Sequence, residues 1–393
     1  MTPAARTQAA IELLDRIVAT ARQGGAAADT LIARWFVERR YAGAKDRRAI
    51  RTLVYDAIRL CGEPPASGRA ALLTLVGEKP ELATTFDGSR YGPAPIVPGE
   101  PVASAGVAPE WLVAALAESG LDATERAALL RRAALDIRVN RLTATRADLA
   151  IAGAEPIVML PDGLRLLPDT NVEQMPEYLA GKFEVQDAGS QLVTLAAGAA
   201  PGMRVIDLCA GAGGKTLALA AAMANQGSIL ACDVDRARLS RLRPRAERAG
   251  VTIVETRLLD PQREAEQLAD QRELADLVLV DAPCSGTGTW RRNPEARWRL
   301  TPERLARFAA SQRHVLDIAA PLVRPGGSLL YIVCSLLDVE GRDQIIAFHE
   351  RHAPWESSAL ALAAGTPHGM GMRLTPASDA TDGFFVAKMI RPC

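Results

Sequence analysis

Leu277-Val-Leu-Val280-Asp281-Ala-Pro-Cys284-Ser-Gly-Thr-Gly288 and Leu329-Leu-Tyr331-Ile-Val333-Cys334-Ser335 decide how this chain folds. Each opens as an apolar, branched run with the length of a buried parallel strand and closes on a cysteine. Ligands of open α/β sheets bind beyond the carboxyl ends of the strands, so cysteines at two such ends converge on one ligand. Working outward, residues from Val185 on alternate strand and helix, with strands predicted at 205–208, 229–232, 253–254, 277–280 and 329–333 and a helix over 216–223. Such alternation predicts a doubly wound sheet.

The first of these strands runs into Asp207-Leu-Cys209-Ala210-Gly211-Ala212-Gly213-Gly214-Lys215-Thr216 and then a helix. Glycines let the backbone approach a ligand, and the helix start offers free N–H groups to an anionic one. A Walker A loop needs glycine where Cys209 stands, and a dinucleotide fingerprint needs a third glycine in register that is missing. The reading left is a site for S-adenosylmethionine. It calls for acids after the next two strands, and Asp233 and Asp260 stand there.

Composition bounds the rest. At 393 residues the chain suggests two or three domains, and a balance of 46 basic and 46 acidic residues leaves no whole-chain signature of nucleic-acid binding. Six cysteines without CxxC pairs argue against a disulfide framework or a structural zinc, and no metal is expected. No apolar run approaches the roughly 20 residues of a membrane span, so no membrane partner is expected and the chain reads as cytoplasmic.

The N-terminal part patterns as a helical bundle, with Ile11, Leu14, Ile17 and Val18, then Trp35 and Phe36, then Ile50, Val54 and Ile58 on successive helical faces. Between the second and third helices lies a basic run, Arg39-Arg40-Tyr41-Ala-Gly-Ala-Lys45-Asp-Arg47-Arg48. It is either a solvated face or a phosphate-binding surface. Pro- and Gly-rich residues 83–108 read as loop or linker. Helix over 109–135, a strand near Ile137 to Leu142, and a hairpin of 157–160 with 164–166 then form a small α+β module.

Cysteine and acid at the sheet's ligand edge suit methylation of cytosine at C5, a carbon too weak a nucleophile to attack a sulfonium methyl unaided. A thiolate added at C6 makes C5 enamine-like, and the adduct must afterwards lose the C5 proton and expel the thiol. One thiol, a second releasing group and an acid near ring N3 are needed, and Cys334, Cys284 and Asp281 are the candidates.

On the motifs Val185-Gln-Asp187-Ala-Gly-Ser190, the glycine loop with Lys215, Asp281 to Gly288, Arg291-Arg-Asn-Pro294, Cys334-Ser335 and Thr381-Asp-Gly-Phe-Phe385, the chain resembles the Sun/Fmu (NOL/NOP/Sun) family of S-adenosylmethionine-dependent RNA cytosine-C5 methyltransferases. The resemblance implies a multidomain protein. Its parts are a NusB-like helical domain at 1–82, a linker at 83–108, a helical and α+β RNA-binding module at 109–184, and a Rossmann-like methyltransferase domain at 185–393 with a mixed seven-stranded sheet. Carried over, the nucleophile falls on Cys334, the release cysteine on Cys284, and cofactor contacts on Cys209 to Lys215, Asp233, Arg238, Asp260 and Asp281. RNA contacts fall on Arg39, Arg40, Lys45, Arg47, Arg48, Arg138 and Asn140.

Two departures stand out. The family's proline in the glycine loop is replaced, and the Ser-Thr usual before the nucleophile is Ile332-Val333. The expected substrate is 16S ribosomal RNA and the expected state a monomer. Transfer RNA is the alternative target. A DNA cytosine-C5 enzyme would use the Pro-Cys cysteine as nucleophile and does not explain the second one. A silent RNA-binding assembly factor would not need Cys334, and a small-molecule methyltransferase would not need the arginine-rich segment.

Overall fold

The structure, a computed structural model, describes residues 1–168 and 170–393. Contacts divide the chain into two units, one of Met1–Arg132 with Thr289–Thr301 and one of Ala133–Gly288 with Pro302–Cys393. The expected limits at 82, 108 and 184 do not coincide with this division.

The first unit is helical: α1 (Pro3–Arg22), α2 (Ala28–Glu38), α3 (Ala44–Leu60), α4 (Gly68–Glu78), α5 (Glu110–Glu118) and α6 (Ala123–Ala128). Thr2 caps α1 by accepting from Ala5 N at 3.1 Å, and Pro3 sits in the first turn, where its missing N–H has no cost. Ile11, Leu14, Ile17, Trp35, Phe36, Ile50, Val54 and Ile58 are buried in one core, as their spacing predicts. Residues 83–108 are not a free linker. Gly62 N donates to Ser104 O at 3.0 Å, Ala103 N donates to Ala70 O at 3.3 Å, and Arg69 pairs with Glu100 at 2.9 Å, so this coil is tied to α4 and the end of α3.

The short stretch 289–301 completes this unit. Trp298 joins its core. Arg297, fully buried, donates to the carbonyls of Ile58 at 2.6 Å and Cys61 at 2.8 Å, where α3 ends with unpaired acceptors. Glu295 accepts from Ala28 N at 2.9 Å, at the start of a helix that lacks a side-chain cap of its own. Arg299 donates to Gly25 O and Ala26 O, both at 2.6 Å.

The second unit begins with a small antiparallel sheet of β1 (Leu135–Val139), β2 (Glu155–Pro156), β3 (Gly163–Leu166) and β4 (Phe183–Val185), in the order β2-β3-β1-β4. Helix was expected to run to 135 but ends at Ala128, and the expected first hairpin arm at 157–160 is a turn. Ile157 and Leu160 are apolar because they pack into the main core, not because they alternate across a strand.

Helices α7 (Pro176–Leu179) and α8 (Ala188–Leu195) lead to the main sheet: β5 (Arg204–Asp207), α9 (Gly214–Ala222), β6 (Ser228–Asp233), β7 (Val254–Leu258), β8 (Ala275–Asp281), β9 (Val323–Val333), β10 (Glu356–Ser358), β11 (Thr366–His368), β12 (Gly371–Leu374) and β13 (Phe384–Ile390). The order is β11-β12-β13-β9-β8-β5-β6-β7, with β10 paired to β13. Strands β5 to β9 run parallel and β13 antiparallel, so the sheet is mixed as expected. Among the described residues it has nine strands instead of seven. The short β10 and β11, Glu-Ser-Ser and Thr-Pro-His, carry no apolar run that a sequence pattern detects. Edge strand β7 was expected at 253–254 and begins at Val254, with exposed Glu255 and Thr256 hiding it. Strand β5 lies between β6 and β8, which places the topological switch, and hence the ligand crevice, at its carboxyl end.

Candidate active site

Five strand ends meet at that crevice. After β5 the chain turns through the glycine loop, and Ala210 N donates to Cys232 O at 2.8 Å, laying the loop against the end of β6. Gly213, the residue before α9, has φ +85°, and a side chain there would strike Leu242, so the loop enters its helix through a left-handed position that glycine tolerates. Asp233 ends β6. Its two carboxylate oxygens accept from Gly211 N and from Asp235 N, each at 2.7 Å, so it stands fixed beside the loop. The guanidinium of Arg238 lies across Gly211, close enough to obstruct any Cβ at that position. Asp260, two residues beyond β7, is exposed and paired with the Gln267 amide at 3.0 Å.

The ends of β8 and β9 carry the reactive groups. Asp281 pairs with Lys215 at 2.6 Å, and the Lys215 ammonium also lies 5.7 Å from the Phe384 ring. Burial works against the Lys215 charge, but Asp281, with a further contribution from Cys334, outweighs it and holds Lys215 above the ordinary lysine range. Cys284 and Cys334 meet with their sulfurs 3.4 Å apart. The Cys284 thiol is pushed well above its usual range by its hydrogen bond with Cys334, by burial, and by the charges of Cys334 and Glu340. Cys284 is thus held as the thiol of the pair, while Cys334 has the lysine charge in its field.

Two acids at this edge were missed from sequence. Asp207, the last residue of β5, is buried, accepts from Thr216 Oγ1 at 2.6 Å, and has its other oxygen without a partner among the described residues. Burial pushes its carboxyl up to about 7. Glu340 is fully buried six residues after Cys334 and reaches back between the two cysteine loops. Both read as ordinary loop acids in a string of letters.

The glycine loop, Asp233, Arg238, Lys215, Asp281 and the two cysteines lie along one edge of the sheet, whereas the Asp260 carboxylate has only the Gln267 side chain as its partner among the described residues; the Cys209 thiol lies at that edge too, raised by burial and by Asp233, Asp207 and Asp281. The predicted RNA contacts do not behave alike. Arg138 is buried, with Nε bound to Gln186 at 2.7 Å. Asn140 is buried too, its amide donating to Gly181 O at 2.9 Å and Ala249 O at 2.8 Å and accepting from Leu142 N at 3.2 Å. Arg138 lies on β1, an inner strand of the small sheet, and Asn140 directly follows it, so both polar side chains act as internal braces. Arg39 pairs with Glu38 at 3.1 Å and stacks 4.3 Å from Trp35, and Arg47 donates to Ala42 O at 2.8 Å. Arg40, Lys45, Arg47 and Arg48 are all exposed, as is Tyr41 at 71%. No metal-binding cluster occurs among the described residues, and no helix there is long and apolar enough to cross a membrane.

Residues 195–390 match the family described as 16S rRNA methyltransferase RsmB/F. The chain is similar to a probable ribosomal RNA small subunit methyltransferase B of Synechocystis, 34% identical over 72% of this chain and 66% of that protein. It is also similar to ribosomal RNA small subunit methyltransferase B of Salmonella typhi, 35% identical with the same coverage. The match thus spans 66% of the length of these curated relatives. Among solved structures, PH0851 aligns over 99% of both chains with TM-score 0.76 and 26% identity. A methyltransferase homologue from Pyrococcus horikoshii aligns over 72% of this chain and 99% of its own, with TM-score 0.60 and 26% identity.

Proposed function

The chain belongs to the RsmB/F family of methyltransferases, and from that premise we propose that it methylates C5 of a cytosine in 16S ribosomal RNA, using S-adenosylmethionine. One observation carries the reading: two thiols in contact at the carboxyl ends of adjacent strands, beside the Lys215–Asp281 pair and the glycine loop. The names of the relatives supply the RNA.

The residues fit the cofactor. The α9 start and its glycine approach suit an anionic carboxylate, Asp233 is fixed where a ribose diol would be bound, and Asp260 lies beyond the neighbouring strand. Arg238, across the loop, adds a cation. When bound, the cofactor supplies an electrophilic methyl on a sulfonium.

The protein's part is to make and unmake the nucleophile. Cys334, as thiolate, forms a bond to C6, and the C5=C6 electron pair becomes available at C5. The negative charge that builds toward ring N3 is met by the Lys215 ammonium, held in place by Asp281. After C5 has taken the methyl, its proton leaves to a base, the C5=C6 bond re-forms and the S–C6 bond breaks. Cys284, 3.4 Å from the departing sulfur and held as a thiol, is the group that hands Cys334 a proton and releases the product. RNA backbone contact falls to the exposed Arg40, Lys45, Arg47 and Arg48, with Arg39 shaping the segment. The helical unit is taken as the NusB-like part of this assembly.

The test is denaturing electrophoresis of each cysteine variant after incubation with 16S ribosomal RNA and cofactor. Cys284→Ala should accumulate a covalent protein–RNA complex, and Cys334→Ala should form none. The reverse pattern would assign the nucleophile to Cys284 and support the DNA-type mechanism. Absence of 5-methylcytidine in RNA treated with the unaltered protein would reject the reading altogether.

A further inference from the structure

Each cysteine of the pair is followed by a serine, and the two serines are held by one side chain. Ser335 Oγ donates to Glu340 Oε2 at 2.5 Å, and Ser285 Oγ donates to the same oxygen. Glu340 Oε1 accepts from Ser285 N at 2.8 Å and from Gln312 Nε2 at 3.0 Å. The same Gln312 amide donates to Pro283 O at 2.9 Å, on the other side of Cys284. Tyr331 OH donates to the Glu340 carbonyl at 2.6 Å, which pins the acid's own backbone to β9.

Glu340 is 0% exposed, and its oxygens are met by four neutral donors. Burying a carboxylate this way is costly unless every lone pair is used. A carboxylate is also the one side chain whose two oxygens each accept from two donors, so it gathers donors from separate loops into one plane. Here the donors come from the loop after β8, the loop after β9 and the helix Pro302–Ala319. The serines themselves lie 3.2 Å apart, as the sulfurs one residue before them lie 3.4 Å apart.

We propose that Glu340 is a positioning residue that clamps Ser285 and Ser335 together and thereby keeps the Cys284 and Cys334 thiols in contact. Its charge also helps hold Cys284 in the thiol form. The consequence for turnover rests on the methyltransferase reading above, but the spacing of the sulfurs is measurable without it.

The experiment uses the full chain with the exposed Cys393 replaced by serine, with and without Glu340→Gln. Glutamine keeps the volume, but its NH2 meets donors where an acceptor is needed. Diamide is added, its azo bond taking the two hydrogens as the thiols join, and mass spectrometry follows the Cys284–Cys334 disulfide. Glu340→Gln should slow this crosslink and lower kcat by about tenfold or more each, the scale of losing hydrogen bonds to a charged group. KM for RNA and cofactor affinity should stay within about twofold, a split that general loosening of the fold would not produce. Ser285→Ala and Ser335→Ala should each have a smaller effect in the same direction, and they serve as the test if Glu340→Gln does not melt cooperatively. A crosslinking rate within about twofold of the parent would overturn the proposal, whatever happens to kcat. Slowed crosslinking in a protein that methylates no RNA would leave the clamp standing and remove the methyltransferase reading.

Discussion

Residues 281–288 and 289–301 are neighbours in the chain and similar in their density of polar groups, yet they do opposite things. In the first, Asp281 and Cys284 face Lys215 and Cys334, side chain to side chain, at the edge of the sheet. In the second, Glu295, Arg297 and Arg299 bond chiefly to backbone, at the start of α2, the end of α3 and the turn between α1 and α2. Bonds to backbone satisfy orphan groups that the fold itself creates and leave little for a ligand. Bonds between side chains at a strand end leave valence, charge and protons that a ligand can use. The partner, not the residue type, separates a site from a brace.

The largest effect should come from the first region. Cys334→Ala should abolish turnover, since without the thiolate C5 never becomes a nucleophile, whereas Cys284→Ala should still take one methyl and then stall. Single-turnover methyl transfer to RNA measures the difference, and equal residual rates would erase the distinction between the two sulfurs.

In the second region Arg297→Ala should leave several buried carbonyls unpaired and a void in the helical unit. A loss of about 3–5 kcal/mol is expected in urea unfolding, on the scale of breaking a buried charged network. A loss under about 1 kcal/mol would show that this arginine braces nothing.

Asp207 sharpens the comparison because it belongs to the site yet has an oxygen without a partner among the described residues. Its carboxyl, raised by burial to about 7 from the ordinary 3.8, binds a proton in the folded state that the unfolded chain gives up at lower pH. The favourable contribution is therefore complete below about pH 4 and lost as pH rises through about 7, a swing on the order of 4 kcal/mol. Asp207→Asn should flatten this segment of the stability–pH curve, with the gain over the parent largest above pH 7 and absent near pH 4. Parallel curves for the two proteins would mean Asp207 is not raised.

Smaller effects are expected at the rims. Asp233→Ala should weaken S-adenosylmethionine binding by about 1–3 kcal/mol by calorimetry, the scale of hydrogen bonds to a charged group. Reversing the charge of Arg40 and Arg48 should lower the slope of log affinity against log salt for RNA by roughly 1–2, while the same change at the already engaged Arg39 should move it less. Equal slopes for all three would return the basic run to a solvated surface.

Much of this was legible before the structure. Leu277 to Val280 and Leu329 to Val333 announced buried parallel strands, and the acids and cysteines that follow them could only lie at one edge once the strands were parallel. The burial of Arg138 and Asn140 was not legible, because polarity in a short segment says nothing about which face is covered, and their sheet lies against other parts of the same unit. That the 83–108 loop is tied down was hidden for a related reason: proline and glycine mark the absence of regular structure, not the absence of packing.

The order of strand, glycine loop, acid and cysteine is local, written in periodicity and in residues with special backbone or chemical properties, and the sequence alone determined it. Which buried acid faces which loop is not local. Glu340 and Ser285 are separated by 55 positions, and Arg297 and Ile58 by 239, and neither pair leaves a mark in the spacing of nearby residues. Only the tertiary structure decided those pairings, because a buried polar group must find its partner wherever the packed chain brings one, and packing is a property of the whole fold.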